Sequence, residues 1–348
     1  MARPCIHLIA PAGACRPFME SLDIDRPQEL VSQAQAAIGP EYQVTADIDL
    51  LNAEEDEERG GRTDDDARAA DITQALTSDD IAAIIAVRGG AWFTRTLPRI
   101  DFTALDRRSR PLAVFGFSEL TPLVNIVGAH ARGLGVYDMG PAFLTYGLRL
   151  HAGRQQKNDA TASEPPHRWM RRHLRPAVDQ YYQRVVAMIE GRDSTEPIMA
   201  RLIRGPAPKD ADAIFLGGNL TVLSTMIGSR YERCISPQGK WLVLEDFNDK
   251  PERFDRFLSH LTLAGYWEQC TGVLLGDFHQ NDRDLTSALA AMLHYHLPQG
   301  SELPVLFSDR IGHTWPMSPL PLQRPLKLRR RDENLFEISW APSLLRVV

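Results

Sequence analysis

The chain has 348 residues, which is more than a single hydrophobic core usually serves, so two domains are expected. Hydrophobic residues make up 43% and the net charge is −6, as in ordinary globular proteins and unlike most nucleic-acid binders. The four cysteines form no C-x-x-C pair, which predicts reduced thiols rather than a disulfide framework. No apolar run reaches about 18 residues, and the first residues do not match a secretory signal. The composition predicts a cytoplasmic protein that binds neither a membrane nor a nucleic acid.

The first 150 residues alternate apolar strands with amphipathic helices. Strands are predicted in four stretches: CIHLIAPAG, YQVTADIDLL, IAAIIAVRGG and PLAVFGF. Helices are predicted in QELVSQAQAAIG and ARAADITQALTSDD. Because the strands are apolar throughout, the alternation predicts a parallel sheet with helices on both faces. Ligands of such sheets bind at the carboxyl ends of the strands, where Gly89, Gly90 and Ser118 lie.

A strongly acidic stretch interrupts this pattern, with eight acids between Glu54 and Asp66. Such a stretch can attract a metal ion or a basic partner. Clustered like charges repel one another and favour water, so the sequence favours a solvated loop over 54–66.

The composition changes near residue 150 and predicts three segments: an N-terminal α/β domain at 1–150, a linker and helix at 151–195, and a C-terminal β/α domain at 196–348. The linker is polar with two consecutive prolines, and the helix follows it in HLRPAVDQYYQRVVAMIEG. The region also contains Arg168, Arg171, Arg172 and Arg175, for which a solvated helical face is favoured over a clamp for a substrate carboxylate. The last segment contains four predicted short strands: PIMARLIRG, WLVLEDF, TGVLLGDF and LPVLFSD.

Ser118 lies in AVFGFSEL, where a predicted strand runs into a predicted helix. A serine there commonly caps the helix, because its oxygen accepts a free backbone N–H. It can also be a nucleophile on a sharp turn, beside a helix N-terminus that stabilises negative charge. On this stretch alone the cap is favoured. A nucleophile also needs a base and a carboxylate that orients the base, and these have to come from elsewhere in the chain.

Two carboxylates at predicted strand ends are candidates for the orienting acid. Glu245 follows the apolar run of WLVLEDF, and Asp277 has the same setting in TGVLLGDF. Either side chain can point into the crevice that Ser118 faces, or can cap the following turn. The sequence leaves these alternatives open.

Several histidines are candidates for the base. His313 follows a strand and a glycine in an irregular, proline-rich loop, the kind of segment in which catalytic groups concentrate. His279 is a second candidate. His294 and His296 lie two residues apart on a predicted helix, so they point to different faces and do not form a metal pair.

An acyl-transfer site also needs backbone N–H groups that bind an oxyanion. The turn at Gly89 and Gly90 allows close approach, and the N–H of Glu119 follows Ser118 at the helix start. The glycine pair can equally be a tight turn and nothing more. The glycine turn at 217–221 lacks the lysine and spacing of a phosphate-binding loop.

These pieces occur in the order found in a known family. In order, they are IHLIAPAG, ARAADITQALTSDDIAAIIAVRGG, FGFSELTPL, LGGNLTVLSTMIGS, WLVLEDF, TGVLLGDF and IGH. From about residue 5 to 322 the chain resembles the serine LD-carboxypeptidases, the murein tetrapeptide carboxypeptidases together with the microcin C immunity peptidases. Each piece alone is weak, but their joint order and spacing are specific.

The resemblance implies a site and a fold. It implies Ser118 as the nucleophile, Glu245 as the orienting acid and His313 as the general base. It also implies an oxyanion hole formed by backbone amides of Gly90 and Glu119. The implied fold is a flavodoxin-like N-terminal domain with a parallel sheet and a smaller C-terminal β/α domain, with the site in the cleft between them.

The resemblance also implies a function. The enzyme would remove the terminal D-alanine of murein tetrapeptides during cytoplasmic cell-wall recycling. Its substrate would be a small peptide, it would use no metal or organic cofactor, and it would form a homodimer. An immunity-type peptidase that cleaves peptidyl or aminoacyl nucleotides is the alternative within the family. A catalytically silent binding protein is a second alternative, whose sign would be loss of a catalytic residue, and none is lost.

The chain departs from the family pattern at a few positions. Glu119 replaces the usual aspartate after the nucleophile, and Gln323 stands where a glycine is common. Ala91 and Trp92 replace a tyrosine and a glycine after the glycine pair, so we expect Trp92, with Gly89, to contact substrate. Three tryptophans are candidates for stacking on a nucleotide base: Trp92, Trp169 and Trp315.

Overall fold

The computed structural model describes residues 3–55, 60–61, 63–149, 166–192, 196–280 and 283–348, with the backbone alone for 166–171. Residues 151–165 of the predicted linker and the central part of the acidic stretch lie outside the described residues. The linker was predicted too long, because the helix that follows it begins at Pro166 rather than at His173. The domain boundaries at 150 and 195 stay predictions, because these residues also fall outside that description.

Fourteen strands lie in the described part of the chain. They are β1 (Cys5–Ile9), β2 (Gln43–Ala46), β3 (Ile81–Ala86), β4 (Leu112–Gly116), β5 (Gly133–Tyr137), β6 (Ile198–Arg204), β7 (Ala211–Asn219), β8 (Trp241–Phe247), β9 (Gly272–Gln280), β10 (Arg283–Asp284), β11 (Val305–Phe307), β12 (Leu320–Leu322), β13 (Pro325–Arg330) and β14 (Leu335–Ser339).

The same residues contain eleven α-helices. They are α1 (Arg16–Ser21), α2 (Pro27–Ile38), α3 (Ile48–Asn52), α4 (Asp65–Thr77), α5 (Phe93–Thr96), α6 (Thr121–Ala129), α7 (Pro166–Ile189), α8 (Leu220–Ser224), α9 (Pro251–Leu263), α10 (Tyr266–Gln269) and α11 (Thr286–His296).

The N-terminal sheet has the strand order β2-β1-β3-β4-β5, and all five strands are parallel. This order is that of flavodoxin-like folds. Every residue of β3 and β4 is buried, as expected for strands covered by helices on both faces. The predicted parallel sheet is therefore confirmed. The C-terminal part of the chain adds β12, which pairs antiparallel with β5 at the sheet edge.

The second sheet is closed. Its strands follow the order β9-β11-β6-β14-β13-β7-β8, and β8 pairs again with β9, while β10 extends from β9. β7, β8, β9 and β11 run parallel, and the other pairings are antiparallel. The structure confirms the predicted second domain as a mixed β/α unit. The carboxyl end of β8 faces the carboxyl ends of β4 and β5, and this junction holds the candidate site.

One predicted strand was too long. The stretch YQVTADIDLL forms β2 over Gln43–Ala46 and then turns into α3. The cause is Asp47, whose carboxylate accepts the N–H of Leu50 at 3.0 Å and so caps the helix. The cap at Asp47 therefore ends the strand earlier than the sequence predicted.

No helix among the described residues has the length and hydropathy needed to cross a membrane. The long helix α7 packs on α2 and is tied to the first sheet by an ion pair. Asp138, fully buried just after β5, accepts two hydrogen bonds from Arg184 of α7, at 2.9 and 2.7 Å. Both oxygens of the buried carboxylate therefore accept from one arginine nitrogen, Nη2 of Arg184, which also supplies the opposite charge.

Candidate active site

Ser118 lies on a strained turn between β4 and α6. Its φ is +59°, a left-handed conformation that costs a residue other than glycine about 1–3 kcal/mol. Two hydrogen bonds hold this turn. The Thr121 hydroxyl donates to the Ser118 carbonyl at 2.7 Å, and the Ser118 N–H donates to the Tyr137 hydroxyl at 3.2 Å. The capping residue of α6 is Leu120, so Ser118 is not the helix cap that its stretch alone favoured.

The hydroxyl of Ser118 contacts a histidine instead. Ser118 Oγ lies 3.0 Å from His313 Nε2, and His313 Nδ1 lies 2.7 Å from Glu245 Oε2. Glu245 is fully buried, so its carboxylate draws the Nδ1 proton towards itself and leaves Nε2 free to accept the serine proton. The structure thus brings together the three residues that the resemblance implied as a triad.

The His313 ring is held by its surroundings. It stacks on Phe247 with centroids 4.9 Å apart, and Phe117 lies at the same distance. The residue before it, Gly312, has φ +100°, and a Cβ there would fall 2.7 Å from Glu245 Oε2. Only glycine fits this approach, which explains the glycine of the IGH segment.

Two opposing effects act on the pKa of His313. Burial favours the neutral ring and lowers the pKa, but the charge and hydrogen bond of Glu245 raise it, with smaller contributions from Asp246 and Asp277. The net result is a pKa above the usual value of 6.5.

The other acids near the histidine have different partners. Asp277 Oδ2 lies 2.5 Å from His279 Nδ1, so this rival acid pairs with another histidine. Asp246 accepts the Asn219 amide at 3.0 Å and the Thr221 hydroxyl at 2.7 Å. Burial and the neighbouring Glu245 charge raise the pKa of Asp246 to about 6. Among the candidate acids, Glu245 is the one in contact with His313.

The glycine turn after β3 lies against the serine. A Cβ added to Gly89 would fall 3.9 Å from Ser118 Oγ, and Gly90 has φ +120°. The Gly89 carbonyl accepts the Gly13 N–H at 2.9 Å. The Glu119 carboxylate accepts the Thr94 N–H at 3.4 Å, which joins α5, the helix after the glycine turn, to the serine turn. The residues with the implied oxyanion amides, Gly90 and Glu119, line the same cavity as Ser118.

This cavity has a volume of about 580 Å³ and opens over the serine and histidine. Its lining includes three cations, which are Arg88, Arg149 and Arg253, and an aromatic group formed by Phe143, Tyr146 and Phe247. Of the arginines predicted as a solvated face or a clamp, Arg175 donates to the Leu22 carbonyl at 3.1 Å. The cavity itself therefore supplies other cations for a substrate carboxylate.

Trp92 does not belong to the lining of this cavity. Its ring lies against Gly61, where a Cβ would fall 2.4 Å from the ring, and the Arg95 guanidinium lies 4.8 Å from the ring centroid. Trp315 packs against Gly147, and the Trp169 side chain lies outside the described residues. The structure thus provides no contact between Trp92 and the cavity to support the predicted substrate role.

Two of the residues that depart from the family pattern, Trp92 and Gln323, have a left-handed backbone conformation. Trp92 has φ +76° and Gln323 has φ +59°. At both positions the resemblance implied that glycine is common. Gln323 is held there by its own side chain, which accepts from Lys240 Nζ at 3.0 Å and donates to the Cys234 carbonyl at 2.7 Å. Side-chain contacts replace the conformational freedom that glycine would provide.

The remaining histidine candidates have other contacts. His296 Nε2 lies 2.8 Å from Asp255 Oδ1, and the His294 ring packs edge-on against Tyr295. Within the described residues there is no group of three or more His, Cys, Asp or Glu side chains that could hold a metal ion.

Tyr137 is a further residue of this site, and the sequence did not indicate it. This fully buried residue ends β5, and its hydroxyl lies 2.6 Å from Glu245 Oε1. A tyrosine at the end of an apolar strand looks like any core aromatic residue, so no local signal marked it. Its position next to the candidate acid becomes visible only when the two sheets meet.

The fold and the site define a two-domain α/β protein in which hydrogen bonds join a serine, a histidine and a glutamate at the junction of two sheets. Two family models match it. The LD-carboxypeptidase N-terminal domain matches residues 6–137, and the LD-carboxypeptidase C-terminal domain matches residues 212–328. The chain belongs to the LD-carboxypeptidase family, which confirms the resemblance seen in the sequence.

Named relatives and a solved structure agree with this membership. A probable murein peptide carboxypeptidase of Bacillus subtilis is 24% identical over 262 residues, which cover 74% of this chain and 72% of that protein. The murein tetrapeptide carboxypeptidase of Pseudomonas aeruginosa is 26% identical over 245 residues, covering 67% and 71%. The structure also resembles a solved structure, that of the microcin C7 self-immunity protein MccF in complex with aspartyl sulfamoyl adenosine. MccF is a protein of Escherichia coli. The TM-score is 0.65 at 17% identity over 98% of this chain and 97% of that chain, which shows a shared fold.

Proposed function

We propose that the protein is a serine carboxypeptidase that hydrolyses the L-D amide bond before the terminal D-alanine of murein tetrapeptides. The observation that carries the proposal is the chain of hydrogen bonds from Ser118 through His313 to Glu245 at the floor of an open cavity. The proposed setting is cytoplasmic cell-wall recycling, by a homodimer that needs no cofactor.

In the proposed mechanism, His313 accepts the hydroxyl proton as Ser118 Oγ attacks the carbonyl carbon. Glu245 stabilises the imidazolium, and the amides of Gly90 and Glu119 bind the oxyanion. The leaving D-alanine takes the proton from His313 at its nitrogen. Water then attacks the acyl-enzyme by the same route and releases the tripeptide.

The cavity lining supports a substrate with a free carboxylate. The three lining arginines differ in setting, since Arg253 lies 3.3 Å from Asp249 and Arg88 donates to the Ala14 carbonyl, while Arg149 is exposed. A terminal carboxylate can be bound by this cationic wall or by backbone N–H groups of the glycine turn. An amidated or extended C-terminus would leave such a partner unpaired, which costs binding free energy.

The substrate prediction is tested with three matched peptides: the L-D tetrapeptide, its all-L isomer and the pentapeptide ending in D-Ala-D-Ala. We expect release of a single D-residue from the first peptide and little action on the other two, with products identified by mass spectrometry. Equal cleavage of the L-D and all-L tetrapeptides would show that the site is not built around a D-residue carboxylate.

A second candidate function is cleavage of an acyl nucleotide. It is favoured by the aromatic side chains of Phe143, Tyr146 and Phe247 in the cavity, since aromatic faces suit a stacked base, and MccF was solved with aspartyl sulfamoyl adenosine. Competition between the tetrapeptide and an acyl-sulfamoyl adenylate separates the two functions. A murein peptidase would be inhibited weakly, and an immunity-type peptidase would cleave the adenylate in preference.

The raised pKa of His313 leads to a testable prediction for the pH dependence of kcat/KM. The base must be neutral to accept a proton, so kcat/KM should rise with pH and reach half its plateau above pH 6.5. Glu245 raises this pKa, so in Glu245→Gln the midpoint of the residual activity should move to lower pH. The profile is measured as kcat/KM from about pH 5 to 9. A wild-type midpoint below 6.5 would contradict the raised pKa, and a midpoint that does not move in Glu245→Gln would contradict the assignment of His313 as the base.

A further inference from the structure

Tyr137 connects the two sheets directly beneath the serine. It ends β5 in the first sheet, and its ring lies against Gly218 in β7 of the second sheet. A Cβ on Gly218 would fall 2.5 Å from Tyr137 Cε2, so the glycine is what allows the ring to sit there. The hydroxyl then reaches both the Ser118 N–H at 3.2 Å and Glu245 Oε1 at 2.6 Å.

The directions of these two hydrogen bonds are fixed by chemistry. The Ser118 N–H can only donate, so the phenol oxygen accepts there. An ionised carboxylate can only accept, so the phenol O–H donates to Glu245 Oε1. Burial and the Glu245 charge raise the pKa of Tyr137 well above 10, so the phenol keeps its proton across any assay range.

The two oxygens of Glu245 therefore have one donor each. Oε2 accepts from His313 Nδ1 at 2.7 Å and Oε1 accepts from Tyr137 at 2.6 Å. Both contacts lie in a region that water does not reach, since Glu245 and Tyr137 are fully buried. A hydrogen bond to a buried charge is stronger than one between neutral groups, and its loss leaves an unpaired oxygen that cannot be hydrated.

We propose that Tyr137 is a positioning residue of this site, holding the Glu245 carboxylate in the plane that His313 requires and the Ser118 turn in its left-handed conformation. The inference rests on the proposed function, because it assigns Tyr137 a role in the same reaction. Tyr137 touches neither the substrate nor the reacting atoms. It acts through Glu245 and through the backbone of Ser118.

The role has an electrostatic consequence for His313. The Tyr137 hydrogen bond draws negative charge towards Oε1. Without it, more charge faces His313 on Oε2, and the imidazolium is favoured. The titratable groups that act on His313 are Glu245, Asp246 and Asp277, and a change at Tyr137 leaves all three in place.

The test compares Tyr137→Phe with Tyr182→Phe. Tyr182 is an equally buried tyrosine on α7, and its hydroxyl has no hydrogen-bond partner among the described residues. We expect Tyr137→Phe to lower kcat about 10- to 100-fold, the effect of one hydrogen bond to a buried charge, with KM within about twofold. The midpoint of the pH profile should move upward. Tyr182→Phe should change neither kcat nor the midpoint.

An NMR titration of the His313 ring supplies a second readout that needs no substrate. We expect the His313 midpoint to rise in Tyr137→Phe and to stay in place in Tyr182→Phe. Equal kcat and equal midpoints in the two variants would overturn the positioning role. Failure of the wild type to release D-alanine would instead refute the proposed function, and the titration would still decide the role of Tyr137.

A substitution that keeps the hydroxyl covers the case in which Tyr137→Phe does not fold. Fluorotyrosine at 137 preserves the ring and makes the phenol a stronger donor. It should move the His313 midpoint downward, opposite to the change expected for phenylalanine. An unchanged midpoint, the same as with fluorotyrosine at 182, would overturn the proposal.

Discussion

Ser118→Ala should lower the rate of D-alanine release by about 10⁴-fold or more. The change removes the proposed attacking atom, the Oγ that lies 3.0 Å from His313 Nε2. The fold should persist, because the turn is held by the backbone of Ser118, through its bonds to Thr121 and Tyr137, rather than by its hydroxyl. Rates are measured by chromatography of the products, with thermal unfolding as the check on folding.

Ser32→Ala is the matched control for this variant. The Ser32 hydroxyl donates to the Gln28 carbonyl one turn earlier in α2, at 2.8 Å, and lies far along the chain from the site. This control should retain the wild-type rate. Turnover near the wild-type rate by a folded Ser118→Ala protein would contradict the assignment of the nucleophile.

The second large effect is expected at the acid, where Glu245→Gln should lower kcat about 10²- to 10⁴-fold. The carboxylate accepts from both His313 and Tyr137, whereas an amide has one oxygen and one NH₂ group. One of the two donors then faces another donor, and the neutral amide no longer stabilises the imidazolium. The measurement is kcat under saturating tetrapeptide, with KM determined in parallel.

Asp277→Asn is the control for the acid. Asp277 lies in β9, which pairs with β8, but its carboxylate pairs with His279 rather than with His313. Its substitution should cost much less than Glu245→Gln. If Asp277→Asn were the more damaging change, the orienting acid would have been assigned wrongly.

The parallel sheet was predictable because its signal is local. IAAIIA and LAVFG are apolar at every position, and both of their faces are buried in the structure. The strand, turn and helix around Ser118 are also contiguous in the chain, so their order was visible. The left-handed φ of Ser118 was not, since it depends on bonds from Thr121 and Tyr137.

The choice between acids was not decidable from local sequence. Glu245 and Asp277 each follow an apolar run within their strands, β8 and β9, and only the meeting of the two sheets shows which carboxylate reaches His313. The family resemblance gave the order of the segments and so indicated Glu245. Tyr137 had no such indication, because its partners lie 19 and 108 residues away along the chain.

A short strand that pairs with a strand far away along the chain could also not be predicted from the local sequence. β12 consists of three residues, and it pairs with β5 although 183 positions separate Leu320 from Tyr137 along the chain. No periodicity can be read from three residues. The position of the Trp92 side chain was equally invisible in the local sequence. Its ring packs against Gly61, a residue of the acidic stretch, and not in the cavity where the substrate contact was predicted.

The proposed function and its nucleophile are tested most directly by the products released from the L-D tetrapeptide. The wild type and Ser118→Ala are incubated with this peptide side by side, and the products are identified by mass spectrometry. We expect a tripeptide and one D-alanine from the wild type, and intact tetrapeptide from the folded variant. Release of D-alanine by both proteins, or an intact L-D tetrapeptide after incubation with the wild type, would contradict this expectation.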